Sequence, residues 1–177
     1  FVGDGPIAVG RDARVHSPSL TAALIEGICD EGVSVIDLGL VATPMLYFGV
    51  ASLDAAGGGL VTAPHHEGEY SGLKICPRKA VPVGEATCLR VSEGLLDTRS
   101  GAPKANPRGT VSTHDLTLGY AEHALAVGEG CPALKVVIEC GNGMASVGRE
   151  PVLERIPIEV VRLDFDADWR FRNQDAG

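Results

Sequence analysis

The sequence predicts an α/β fold: a βαβαβ layered sheet domain, followed by a second α/β unit that is only begun. Three observations carry this. Short apolar runs recur at Pro6–Val9, Val33–Leu38 and Gly59–Ala63, each the length of a strand. Between them stand Ser17-Pro18 and Thr43-Pro44, pairs that place a capping side chain just before a proline able to open a helix. Strand, helix, strand, helix, strand at this spacing is the pattern of a parallel sheet.

Taken in order, Pro6–Val9 is the first strand and ends at Gly10. Ser17 is read as the N-cap of the first helix and Pro18 as its first residue. Leu20, Ala23, Leu24, Gly27 and Ile28 then fall at helical spacing and form one apolar stripe. Gly32 closes that helix, and Val33–Leu38, rich in β-branched residues, is the second strand. Thr43 caps a helix that runs to about Leu53, and Gly59–Ala63 is the third strand. Right-handed crossovers put every strand C-terminus on one edge of the sheet. The loops meeting there are Arg11–Arg14, Val41–Thr43 and Pro64–Tyr70. Ligands of open α/β sheets bind at that edge.

"DTRSGAPKANPRGTVST", 97–113, is rich in Pro, Gly, Ser and Thr and reads as a linker. A helix from Leu116 to about Val127 follows, then the apolar strand Leu134–Ile138. "ECGNGMA" turns into another helix, and Ile158–Leu163 is one more strand. The polar tail "DFDADWRFRNQDAG" has no apolar periodicity, and so few strands leave a sheet edge open. The expectation is an unfinished second unit.

Composition bounds the function. With 177 residues, 45% hydrophobic and 21% charged, the chain suits one globular domain plus part of another. At this size roughly 70% of the unfolded surface can be buried. A net charge of −8 argues against nucleic acid, because no basic surface is available to displace counterions. A small phosphorylated ligand remains compatible, since it needs only a local group of cations and backbone N–H donors. Neither a membrane span nor a signal-peptide pattern is seen, so the expectation is cytoplasmic. The five cysteines form no CxxC pair, which fits reduced thiols.

The chemistry-bearing stretch is "GGGLVTAPHHEGEYSGLKI", 57–75. His65, His66, Glu67 and Glu69 invite a metal reading. Adjacent histidines diverge on an extended backbone, however, and no HExxH-like spacing fixes a ligand set, so no dedicated metal site is expected. Gly141-Asn142-Gly143 lacks the GxGxxG spacing of a dinucleotide turn and reads as a tight strand-to-helix turn.

Three motifs, in order, resemble the α-D-phosphohexomutases (phosphomannomutase/phosphoglucomutase). "VGRDARVHSP", 9–18, is similar to the family's GRD-x-R-x-S-x-P segment, with His16 in place of the serine. "GGLVTAPHHEGEYSGLKI" is similar to its phosphoserine loop, T-A-S-H-N-P-x-x-Y-N-G-x-K. "KVVIECGNGMA", 135–145, is similar to the strand and D-C-G-N-G turn that open its second domain, and "DFDADWRFRNQDAG" to the D-G-x-F-P-N-H-x-P segment after it. The resemblance implies a phosphohexomutase-like domain I at 1–96 with its N-terminal segment missing, a linker at 97–113 and a partial domain II at 114–177. It also implies intramolecular phosphotransfer on hexose phosphates, through a phosphorylated serine, an assisting lysine, and Mg²⁺ held by a later D-G-D-x-D-R loop.

Carried over by position, Thr62, Ala63, His65, Tyr70, Gly72 and Lys74 match the loop. Lys74 and His65 take the catalytic positions; Thr62, His66, Tyr70 and Arg11 are assigned to the phosphate and substrate. Pro64 occupies the serine's place, and His66 replaces the asparagine. Proline has neither the hydroxyl to be phosphorylated nor an N–H to donate to a phosphate. The metal loop lies past the end of the chain, so no metal cofactor is expected for this chain alone. The expectation is a catalytically impaired chain.

Bland readings stand beside these. Thr62 as a replacement nucleophile sits roughly 6–7 Å back along the strand, too far for in-line transfer. Lys74 is either a phosphate ligand or a surface lysine, and His65 either touches ligand or props the loop. Arg11, Asp12 and Arg14 are read as an ion-pair cluster shaping the sheet edge. Two other functions stay open: a non-catalytic module with weak affinity for a hexose phosphate, or a subunit that self-associates or takes missing domains from a partner chain. Neither a nucleic-acid nor a membrane partner is expected.

Overall fold

The computed structural model describes residues 4–63, 70–80, 103–128 and 130–168. β1 (Ile7–Arg11), β2 (Val35–Leu40), β3 (Gly57–Val61), β4 (Leu73–Pro77) and β5 (Val111–Thr113) form one sheet in the order β4-β3-β1-β2-β5. β1 pairs in parallel with both β2 and β3, and β2 with β5; β4 runs antiparallel to β3. α1 (Ser17–Asp30) connects β1 to β2, and α2 (Thr43–Ser52) connects β2 to β3. The βαβαβ expectation therefore holds.

Side-chain alternation divides the core. Ala8, Leu60 and Cys76 face α2 and pack with Leu46 and Val50, whereas Val9 and Val35 face α1 and pack with Cys29. α1 and α2 thus cover opposite faces. The strand order reverses at β1, so the loops leaving β1 and β3 part there and open a crevice between them.

Several boundaries differ from the sequence reading, each for a packing reason. The third strand starts two residues earlier, at Gly57 rather than Gly59. Gly58 permits this because α2 lies close over it: a Cβ there would stand 2.5 Å from Val50 Cγ2 and 3.1 Å from Leu46 Cδ1. Ser17 is not a cap. The cap position is His16, which makes no side-chain cap bond, and Ser17 is already helical and buried. The expected α1 stripe is also rotated. Leu20 is 42% exposed, Ala23 and Gly27 face solvent, and the inward face is built from Ser17, Thr21, Leu24, Ile25 and Ile28. In the same way, α2 is capped by Ala42 rather than Thr43.

Val111–Thr113, inside the stretch read as a linker, is the edge strand β5. The described residues before it are also docked. Ala105 N–H donates to Asp30 O, Gly109 N–H donates to Cys29 O, and the Asp30 carboxylate pairs with Lys104 at 2.7 Å and with Arg108. The Lys104 hydrogen bond, aided by Arg108, holds the Asp30 carboxyl below its ordinary range. Leu116, 3% exposed, belongs to the core beneath α2.

The second unit contains α3 (Thr117–Val127), β6 (Leu134–Glu139), α4 (Glu150–Leu153) and β7 (Ile158–Leu163). Phe48 of α2 meets Tyr120 of α3 edge-on, with ring centroids 5.8 Å apart. β6 and β7 pair in parallel, and among the described residues their sheet has two strands. Val136 and Ile138 are half-buried on one face of this sheet, whereas Val137, on the face it shares with Lys135 and Glu139, is 64% exposed. Among the described residues no helix is long and apolar enough to cross a membrane.

Candidate functional site

At the C-terminal edge of the five-stranded sheet the loops after β1 and β2 meet the end of β3, while the third predicted loop, Pro64–Tyr70, is described only at Tyr70. Asp12 and Arg14 after β1, Ala42 and Thr43 before α2, and Thr62 after β3 line one cavity of about 150 Å³. The turn after β6 joins them through Asn142 and Gly143, a contribution the motif reading did not place. Asn142 is positioned by backbone geometry and by its amide. It adopts φ 55°, its N–H donates to Asp164 O, and its Nδ2 donates to Asp166 O at 3.1 Å.

The centre of the edge is an ion pair. Arg14 Nε lies 3.1 Å from Asp12 Oδ2, and both side chains are buried. The other Asp12 oxygen accepts the Arg14 N–H at 3.0 Å and the Ser17 hydroxyl. The Arg14 guanidinium then reaches across the crevice, donating to Tyr70 O at 3.1 Å and to Ala63 O. The turn after β1 and both ends of the 64–69 stretch are therefore bound to each other. Asp12 and Arg14 form the predicted cluster, but Arg11 is not part of it.

Arg11 departs from its assigned role by simple periodicity. Ile7 and Val9 face α1, so Arg11 does too, and it lines a separate groove with Thr21, Ile25 and Asp37. Its guanidinium makes one long bond, 3.4 Å, to Asp12 O. Lys74 lies on the opposite face. It pairs in register with Leu60, whose side chain borders the Asp12–Thr62 cavity. Lys74 is half-buried and has no hydrogen-bond or ion-pair partner among the described residues.

Thr62 is buried, and its N–H donates to Gly72 O at 2.9 Å, closing the base of the β3–β4 connection. Tyr70 is 54% exposed and contributes its carbonyl to Arg14. Pro64, His65, His66, Glu67 and Glu69 lie outside the described residues. Among the described residues no three His, Cys, Asp or Glu side chains gather as a metal set. Cys76 belongs to the packing beneath α2, where burial pushes its thiol pKa up.

Comparison with known proteins gives this geometry a context. Residues 2–100 match the family model described as phosphoglucomutase/phosphomannomutase, alpha/beta/alpha domain I. A protein named phosphohexose mutases from Xanthomonas campestris pv. campestris (strain B100) is 35% identical over 173 residues, covering 96% of this chain and 38% of that protein. The phosphomannomutase/phosphoglucomutase of Pseudomonas aeruginosa PAO1 is 32% identical over 171 residues, covering 97% of this chain and 36% of that protein. A crystal structure of a phosphoglucomutase/phosphomannomutase family protein from Burkholderia thailandensis superposes with a TM-score of 0.83 at 27% identity, covering 98% of this chain and 38% of that one. This chain thus spans well under half the length of these relatives. Its sheet, its helices and the loop sequence at their common edge make it a member of the phosphoglucomutase/phosphomannomutase family.

Proposed function

We infer that this edge binds a hexose phosphate and that the chain does not transfer the phosphoryl group. The observation carrying the reading is the joined edge itself. Arg14 ties the turn after β1 to the residues flanking a loop that keeps the family's Thr62, Ala63, His65, Tyr70, Gly72 and Lys74 but departs at Pro64, His66, Glu67 and Ser71, and the half-buried Lys74 that follows has no side-chain partner among the described residues. Such a lysine is suited to an anion as a point charge. The names of the relatives, phosphohexose mutases and phosphomannomutase/phosphoglucomutase, supply the ligand class.

Pro64 supplies the loss of transfer. Phosphoryl transfer needs an in-line acceptor and donors on the transferring oxygens. Proline offers no hydroxyl and no N–H. Thr62 does not replace it, because its backbone is fixed to Gly72 at the base of the connection. The ancestral chemistry is then intramolecular phosphotransfer in carbohydrate metabolism, and what persists is a binding module.

Calorimetric titration with glucose 1-phosphate tests the binding half. Saturable binding is expected, weakened about tenfold in Lys74→Ala, the worth of one charge-assisted hydrogen bond. Heats that do not saturate for the unaltered chain, or an unchanged affinity in Lys74→Ala, would overturn it.

A further inference from the structure

Arg14 is the residue at this edge with the most to hold. Its Nε pairs with Asp12 at 3.1 Å, one terminal nitrogen donates to Tyr70 O at 3.1 Å, and the other donates to Ala63 O. Ala63 and Tyr70 are the residues immediately flanking 64–69. One side chain thus holds both ends of that stretch. It is itself held: Asp12 accepts the Arg14 N–H and the Ser17 hydroxyl, and Asp12 N–H donates to Val61 O at 3.0 Å. The separation of the loop ends is therefore referred to two rigid elements, the β1–α1 junction and the end of β3.

The chemistry of the side chain matters as much as its charge. A guanidinium is a planar fork that can bond three acceptors in fixed directions, whereas an ammonium is a compact point charge on a flexible stem. Arg14 is 5% exposed and its donors face Asp12 and two backbone carbonyls. A residue used in this way orders the elements it joins.

We propose that Arg14 is a positioning residue: by fixing the spacing of Ala63 and Tyr70 it sets the affinity of this edge for a sugar phosphate, without touching the phosphate. This rests on the sugar-phosphate reading above, and it adds a mechanical claim that can be read separately. Lysine at this position keeps the charge and removes the fork. Loss of a direct phosphate contact would weaken binding without freeing the loop bases, whereas loss of a positioning residue would do both.

The test uses the full chain carrying Arg14→Lys, with two readouts. Amide hydrogen exchange is followed at Thr62, whose N–H is bonded to Gly72 O, and at Asp12, bonded to Val61 O. In Arg14→Lys, exchange at both is expected to speed up by about tenfold or more while the β1–β2 amides keep their protection, the signature of local rather than global opening. Glucose 1-phosphate affinity is expected to fall by about tenfold or more in the same variant, the scale of one lost charge-assisted bond. Ser17→Ala, which removes one donor from Asp12, is expected to move both readouts the same way by a smaller factor, and it decides the matter if Arg14→Lys does not fold. Unchanged exchange, or faster exchange with unchanged affinity, would overturn the proposal. If the unaltered chain takes up no glucose 1-phosphate, the ligand reading fails and with it the affinity claim, while the exchange data still decide whether Arg14 holds the loop ends.

Discussion

Asp12→Ala is expected to destabilise the fold by about 3–5 kcal/mol, the cost of leaving a buried charge without its partner. The carboxylate is buried and receives the Arg14 guanidinium, the Arg14 N–H and the Ser17 hydroxyl. Its removal strands a guanidinium and a hydroxyl together in a site with little water. The expected loss is much larger than the net worth of the pair, because forming a buried ion pair already cost desolvation of both groups. Two carbonyls remain to Arg14, so part of its hydrogen bonding survives. The check is urea unfolding, with a lower midpoint at an unchanged slope. The double variant Asp12→Ala/Arg14→Met is expected to recover part of the loss, since it removes the stranded charge. A single variant as stable as the original chain would show that the pair is more solvated than its burial indicates.

Gly58→Val is expected to be the next most damaging change, at about 1–3 kcal/mol from overpacking. Gly58 is the second residue of β3, with α2 directly above it. A Cβ would meet Val50 Cγ2 at 2.5 Å, Leu46 Cδ1 at 3.1 Å and Cys76 Sγ at 3.2 Å, and the two valine methyls add to this. Val50, Leu46 and Cys76 all belong to one buried cluster, so relief at one is strain at another. Gly27→Ala is the matching control. That glycine is exposed on α1, with nothing within 4 Å of the point where an alanine methyl would stand, and alanine there is expected to stabilise by about 0.5–1 kcal/mol. Thermal or urea unfolding of the two variants should therefore shift in opposite directions. Equal shifts would mean that glycine entropy, rather than the approach of α2, governs both sites.

These residues also show what can be read without coordinates. The two Xaa-Pro pairs located α1 and α2, and the apolar runs located the three central strands, because local sequence decides where such elements start. Side-chain direction was harder. Ser17 next to Pro18 has the form of a cap, yet its hydroxyl is taken by Asp12 across the turn, a contact that no local rule supplies. The inward face of α1 begins with Ser17 and Thr21, so a search for apolar periodicity alone rotates it toward Leu20 and Ala23.

β5 was hidden for a related reason. Three residues of a polar, proline-rich stretch pair with β2, and the partner lies far away in sequence. Arg11 is the opposite case, since counting by twos from Ile7 and Val9 is enough to send it to the α1 face. The family pattern drew it to the ligand instead. At 62–74 the structure shows the two residues flanking the loop, Ala63 and Tyr70, held together by Arg14, a contact that the letters of the pattern do not contain.

The central claim is a sugar-phosphate edge without a phosphoryl acceptor at position 64. Phosphorus NMR of glucose 1-phosphate, incubated with the chain and Mg²⁺, tests both halves in one spectrum. The expected result is a saturable change in the glucose 1-phosphate resonance on adding protein, with no glucose 6-phosphate signal appearing. A 6-phosphate resonance that grows in proportion to the chain and disappears with Lys74→Ala would contradict the account, as would a resonance that the protein leaves untouched.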